Sequence, residues 1–310
     1  MQKTLIFLVL LALLQPALSK GQDKKEVAIT MDDLPGAGFS SLEEMEMSNL
    51  ELIQKIKKIG IPVSGFVNEY KILQEGEINR RLKILKNWAE AELTLGNHTF
   101  SHPSFYTTPL EDFKEEVIKG EVFTNYVLNQ QGKKVTYFRF PYLSTGPDST
   151  SKANFELFLK RKGYINAPVT IESSDYIFNK LYTSAKKEND TEKMKRVAHA
   201  YLQFTSEQFD FFEAATDEII GRPIKHIFLC HDNELNVDYF EELVEIIEQK
   251  NYRIISLEEA LKDPVYKQED TFVGKWGISW IHRWNTKTRM DWLRKEPEPS
   301  KEILEEYNNL

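Results

Sequence analysis

The sequence predicts a parallel α/β fold of the barrel kind. Short apolar runs alternate with longer helix-like stretches along most of the chain. That is the pattern of a parallel sheet with crossover helices. Residues able to bind ions or move protons stand at the C-terminal ends of several runs, and a barrel gathers those ends at one mouth. The 310 residues, 41% hydrophobic and 28% charged, fit a globular protein with an ordinary core. The formal net charge of −8 argues against nucleic acid as the main partner.

The N-terminus reads as a leader. Lys3 gives a positive start, Leu5 to Leu14 are apolar, and Ala17 and Ser19 offer small residues for cleavage. A signal peptide over 1–19 is expected, placing the protein in the periplasm or outside the cell. The apolar run is too short for a comfortable span, and no later segment reaches membrane length. No membrane span is therefore expected after cleavage.

The first strand is expected over Glu26 to Met31, with a helix over Ser41 to Ile59. Pro62 to Val67 is the second run, and Lys71 to Glu90 follows as helix. Glu92 to Leu95 leads into His98, and Pro109 to Gln130 is helical. The fourth and fifth runs are Val135 to Phe140 and Gly163 to Val169. Residues 179–222 are in excess of the alternation; their second half is apolar-periodic through Tyr201, Phe204, Phe209 and Phe212. They read as a helical insertion packing on the barrel. His226 to Cys230 and Tyr252 to Ser256 complete the runs, before a short helix from Leu257 to Leu261. Cys230, the only cysteine, excludes an intrachain disulfide and reads as a buried thiol. A C-terminal extension, 264–310, holds Trp276, Trp280, Trp284 and Trp292. On a helix these would share one face, closing the barrel or packing on the insertion; a sugar-stacking platform is the functional alternative.

The chemistry starts at Asp32-Asp33. Two adjacent acids at a strand end repel each other and need a cation or a reaction nearby. His98 and His102 lie four residues apart, so one helical turn or tight loop can aim both at one ion. One Asp with two His is a facial ligand set with open positions, leaving the second Asp free as a base. Arg139 ends the fourth run and can fork onto a carboxylate. His231 directly follows an apolar strand, which suits a proton donor. His199, His226 and His282 read as structural or surface residues.

Five ordered motifs resemble the polysaccharide deacetylase family (carbohydrate esterase family 4, the NodB-homology domain). They are Thr30-Met31-Asp32-Asp33, His98-Thr99-Phe100-Ser101-His102, Arg139-Phe140-Pro141-Tyr142, Asp175-Tyr176 and Leu229-Cys230-His231. The resemblance covers about 25–263. It implies a distorted (β/α) barrel, often of seven strands. It implies that Asp33, His98 and His102 bind a divalent metal, zinc first and Co2+, Ni2+ or Mn2+ as alternatives. Asp32 would be the base, oriented by Arg139, and His231 the acid, held by Asp175. The backbone N–H of Tyr142 would stabilise the oxyanion, and Leu229 would line the pocket for the acetyl methyl. Met31 stands where the family has an aromatic, and Tyr176 where it has Trp, which could alter the pocket wall.

The resemblance implies a secreted metal-dependent carbohydrate deacetylase acting on N- or O-acetyl groups of a glycan, with cell-wall sugar the leading substrate. A metal-dependent amidohydrolase on a small non-sugar amide is the first alternative. A glycan-binding protein with a dead site is the second; binding alone needs neither Asp32 nor His231.

Overall fold

The computed structural model describes residues 24–310; the leader expected over 1–19 lies outside them. Eight parallel strands form one curled sheet. They are β1 (Lys25–Leu34), β2 (Val63–Val67), β3 (Thr94–Asn97), β4 (Tyr137–Phe138), β5 (Ile165–Asn166), β6 (Ile171–Glu172), β7 (Lys225–His231) and β8 (Tyr252–Ile254). Seven run in the order β5-β4-β3-β2-β1-β7-β6, and β8 pairs with β1. This is the expected distorted barrel. Among the described residues β5 and β6 do not pair, so it is open there. Each of the seven apolar runs overlaps a strand, with β1, β3 and β7 extending beyond their runs; β6, only two residues long, has no counterpart among them.

β1 is the organising strand. β7 follows one edge from Glu26↔Lys225 to Asp32↔His231. The other edge is shared: β8 takes Lys25 to Val27, and β2 takes over from Ile29. The register against β2 shifts between Met31 and Leu34, and Asp33 has φ +73°. Regular strands send neighbouring side chains to opposite faces. The irregularity suspends that alternation, and Asp32 and Asp33 both line one cleft.

The helices are α1 (Leu42–Ile59), α2 (Ile78–Glu90), α3 (Leu110–Lys119), α4 (Val122–Asn129), α5 (Ser149–Lys162), α6 (Asp175–Lys187), α7 (Thr191–Ile220), α8 (Glu234–Asp238), α9 (Phe240–Gln249), α10 (Leu257–Ala260), α11 (Trp280–Trp284), α12 (Arg289–Leu293) and α13 (Lys301–Asn308). Side-chain caps set several starts: Ser41 accepts from the Glu44 N–H, and Asp190 from that of Lys193. Gly60 and Gly221 end α1 and α7 in the left-handed conformation.

The helix expected over Pro109 to Gln130 is divided at Gly120. A Cβ there would stand 2.6 Å from the Thr99 carbonyl carbon, so only glycine lets the end of α3 approach the histidine loop. Four apolar residues of the expected insertion, Tyr201, Phe204, Phe209 and Phe212, are buried on α7. Phe209 packs 5.3 Å, ring to ring, from Phe228 on β7.

The tryptophan-bearing segment departs from a single helix. Trp276 precedes α11, and α11 and α12 are separate five-residue helices. Trp280 and Trp292 are buried, and Trp292 packs 5.5 Å from Phe211 of α7. The segment also lies along the open side of the barrel. The Trp280 N–H donates to the Val169 carbonyl (2.8 Å), and the Ser279 hydroxyl to that of Thr170 (2.9 Å).

Candidate active site and metal centre

Asp32 is buried, and its Oδ1 has no hydrogen-bond partner within the protein. Burial pushes its pKa above the ordinary carboxyl value, although Arg139 and His231 pull against it. Arg139 is fully buried; its Nη1 comes to 3.5 Å from Asp32 Oδ2, while Nη2 donates to the Thr30 hydroxyl at 2.9 Å. The forked contact expected from the sequence is thus replaced by one long approach. Thr30 and the Phe66 ring, 4.7 Å away, hold the rest of the guanidinium.

Asp33 has a different environment. Lys71 Nζ donates to its carbonyl at 2.8 Å and stands 3.6 Å from its Oδ2. Burial pushes the Asp33 carboxyl up, but Lys71 and the nearby histidines outweigh it, and the group stays below the ordinary range. Its Oδ1 is buried without a hydrogen-bond partner, 3.9 Å from His98 Nε2 and 3.7 Å from His102 Nε2.

The histidines sit on a loop after β3, not on a helical turn. Asn97 shapes that loop: its Oδ1 accepts the Thr99 N–H at 2.7 Å, and its amide donates to the Val117 carbonyl at 2.9 Å. Glu116 of α3 accepts the Ser101 N–H at 2.7 Å. His98 Nδ1 lies 2.9 Å from the Arg139 carbonyl, which accepts its proton and leaves the Nε2 lone pair free. Burial lowers the pKa of His98 to about 3 and that of His102 to about 4, so both are neutral at pH 7.

Three potential ligand atoms of Asp33, His98 and His102 lie within 4.8 Å of one another. Two atoms each about 2.0–2.2 Å from a single ion can be at most about 4.4 Å apart. Both Asp33–His separations meet that limit. Neutral imidazoles, an ionised carboxylate and an unpartnered buried oxygen fit a divalent cation of the zinc type.

His231 ends β7, with Nδ1 2.7 Å from Asp175 Oδ1. Asp175 Oδ2 accepts from the His231 N–H at 2.8 Å and from the Asn233 and Asn236 amides. Burial opposes charge on His231, yet Asp175 prevails and raises its pKa to about 10. The ring is an imidazolium at neutral pH in this arrangement.

Tyr142 lies in a turn at φ +55°, ahead of Leu143 at +51°. Its ring meets that of His102 edge-on at 4.5 Å. The Phe105, Phe113, Phe138, Phe140 and Phe155 rings pack into one buried cluster at this turn. Leu229 is buried with Leu143, Val169 and Trp280.

Eight of the ten residues singled out by sequence line one cleft of about 900 Å³: Asp32, Asp33, His98, His102, Tyr142, Tyr176, Leu229 and His231. Arg139 and Asp175 stand behind it, Arg139 3.5 Å from Asp32 and Asp175 hydrogen-bonded to His231. Of the nine described non-glycine residues with positive φ, six belong to this region: Asp33, Thr99, His102, Tyr142, Leu143 and Ser174. Such strain concentrates where a site over-determines its backbone.

Sequence reasoning missed Lys71, which no local pattern marks. It also missed Glu172, a cleft carboxyl that burial and Glu296 raise to about 7. An acid ending a short apolar run was the available signal. Asn233 and Asn236 follow His231 by two and five residues; proximity to it was their only mark. Trp276 was noticed, but its place in the cleft was not.

A family model described as polysaccharide deacetylase matches residues 19–157. A peptidoglycan-N-acetylglucosamine deacetylase of Bacillus cereus is 27% identical over 127 residues, 41% of this chain. The match spans 39% of that relative's length. A CE4 family pseudoenzyme from Bacillus anthracis superposes with a TM-score of 0.50 at 14% identity, over 77% of this chain and 66% of its own. A peptidoglycan N-acetylglucosamine deacetylase solved with a bound benzamide gives 0.50 at 16% identity, over 76% and 88%. Those two likenesses concern the fold, which an active enzyme and a pseudoenzyme share.

Proposed function

Because the polysaccharide deacetylase family model matches residues 19–157, we propose that the chain is a metal-dependent carbohydrate deacetylase of that family. Its substrate is an acetylated glycan, with cell-wall sugar first, as the name of the Bacillus cereus relative also suggests. One observation carries the reading. Asp33, His98 and His102 converge on a point, with an unpartnered Asp32 oxygen and the His231–Asp175 pair in the same cleft. A shared fold alone would not separate an enzyme from a pseudoenzyme.

Asp33 Oδ1, His98 Nε2 and His102 Nε2 would hold the cation. When bound, it supplies Lewis acidity and a water ionisable near neutral pH. Asp32 takes the proton of the attacking water at its free Oδ1, and Arg139 keeps that carboxylate in place. The Tyr142 N–H donates to the acetyl carbonyl oxygen as negative charge develops there. His231 gives its Nε2 proton to the departing sugar nitrogen or oxygen, while Asp175 holds Nδ1. A C–O bond forms to the acyl carbon, the C–N or C–O bond to the sugar breaks, and acetate leaves. Leu229, Leu143 and Trp280 offer the apolar surface for the acetyl methyl.

The catalytic unit is residues 25–263, including the helical insertion 179–222, and 264–310 packs on it. Export follows from the leader expected over 1–19. Among the described residues no helix is long and apolar enough to cross a membrane. Metal analysis coupled to acetate release tests the reading. Zinc-loaded protein should release acetate from at least one of peptidoglycan, chitin oligomers and acetylxylan; no release from any acetylated glycan would refute it.

A further inference from the structure

Trp276 differs from its three partners in the C-terminal segment. Trp280 and Trp292 are buried and Trp284 is partly so, but Trp276 is 61% exposed and lines the cleft. Looseness of the backbone does not account for this. The Gly277 N–H donates to the Tyr142 carbonyl at 3.0 Å, and the Thr145 hydroxyl to the Phe272 carbonyl at 3.1 Å. A Cβ on Gly277 would stand 2.2 Å from the Leu143 Cβ, so this backbone is pressed onto the Tyr142 turn. The Trp276 and Tyr142 rings meet edge-on at 6.1 Å, with Lys275 Nζ 5.1 Å from the Trp276 ring centre.

The indole does not stand alone: with the exposed Tyr142 ring beside it, it gives the polar cleft an aromatic wall on an anchored backbone, an apolar surface with polar groups around it. Pyranose rings present an apolar C–H face to such a surface and hydroxyls to the polar groups around it. We infer that Trp276 forms a sugar-binding subsite of the cleft. It stacks on a ring neighbouring the acetylated sugar that reaches Asp32 and His231. The C-terminal extension is thereby part of the substrate surface and sets the preference for chain length. The inference rests on the deacetylase reading for the sugar that reacts, but not for the stacking itself.

Two measurements on the full chain separate the two ideas. In the first, the zinc-loaded protein is assayed on di-N-acetylchitobiose and penta-N-acetylchitopentaose. Trp276→Ala should raise KM for the pentasaccharide about tenfold, a loss of ~1.4 kcal/mol, with a much smaller rise for the disaccharide. Trp276→Phe should recover most of the difference. In the second, penta-N-acetylchitopentaose is titrated into Asp32→Asn protein while tryptophan fluorescence is followed. The signal change and the affinity should both fall when Trp276→Ala is added. Acetate release with KM and binding unchanged in Trp276→Ala would overturn the subsite and leave the deacetylase reading standing. Trp276-dependent binding without acetate release would leave the subsite and remove the deacetylase reading. Absence of both binding and release would overturn both.

Discussion

Asp32 and Asp33 share a cleft and a neighbour, His98, whose Nε2 stands 3.6 Å from Asp32 Oδ2 and 3.9 Å from Asp33 Oδ1, but their surroundings otherwise differ. Lys71 and two imidazoles surround Asp33, whereas burial dominates at Asp32 and one oxygen is left unpartnered. Asp32→Asn preserves shape and removes the base. It should lower kcat by about 10²–10⁴-fold while zinc content by elemental analysis stays at the wild-type level. Loss of zinc in that variant would contradict the division between the neighbours. His231 makes a pH prediction. Its pKa is raised by Asp175 to about 10, so the pair stabilises the fold below the ordinary histidine value, and that contribution fades as pH rises through the raised one. A cation held at Asp33 would repel the imidazolium and lower that value. Asp175→Asn should therefore shift the alkaline limb of the pH–rate profile to lower pH. These two roles were visible in the sequence as residue types at strand ends. Lys71 was not: it comes from the turn after β2, and only folding places it beside Asp33.

At the scale of elements, the sheet was more legible than its connections. Apolar runs identify buried parallel strands because both faces are covered. The division of α3 from α4 was hidden, because the feature that requires Gly120 is the Thr99 carbonyl of a different loop. The same kind of contact makes Gly277 sensitive. Gly277→Ala would force its Cβ onto Leu143 and displace the Tyr142 turn. A loss of about 1–3 kcal/mol is expected in denaturant unfolding, with kcat reduced as well, since the displaced N–H is the proposed oxyanion donor. The four- and eight-residue spacing of the tryptophans would fit one helical face, but the segment is not one helix. Anchors to residues 142–145 and 169–170 hold the segment in another shape.

For the whole molecule, the site exists only when strand ends far apart in sequence come together. Residues 32, 98, 139, 175 and 231 have no local reason to meet, and β1, flanked by three other strands, joins their neighbourhoods. A cation bound by the folded site should therefore stabilise the entire domain by mass action. At about 100 times its dissociation constant zinc adds ~2.7 kcal/mol, enough for a rise in Tm of several degrees. His102→Gln should remove most of that rise, and a chelator should reverse it. An equal rise in His102→Gln would place the ion elsewhere. The order of the five motifs made the barrel legible, but its open side between β5 and β6 was not. That side is lined by a segment outside those motifs.

The left-handed backbone around the cleft has a consequence for descent. Thr99, a β-branched residue at φ +67°, and Leu143, at φ +51°, hold a conformation that costs each about 1–3 kcal/mol. Selection for turnover can maintain that cost; selection for folding alone would erode it. A duplicate copy freed from catalysis would gain stability each time glycine or asparagine replaced one of these residues. Glycine at such positions, even beside an intact set of acids and histidines, would then be an early trace of an enzyme becoming a scaffold.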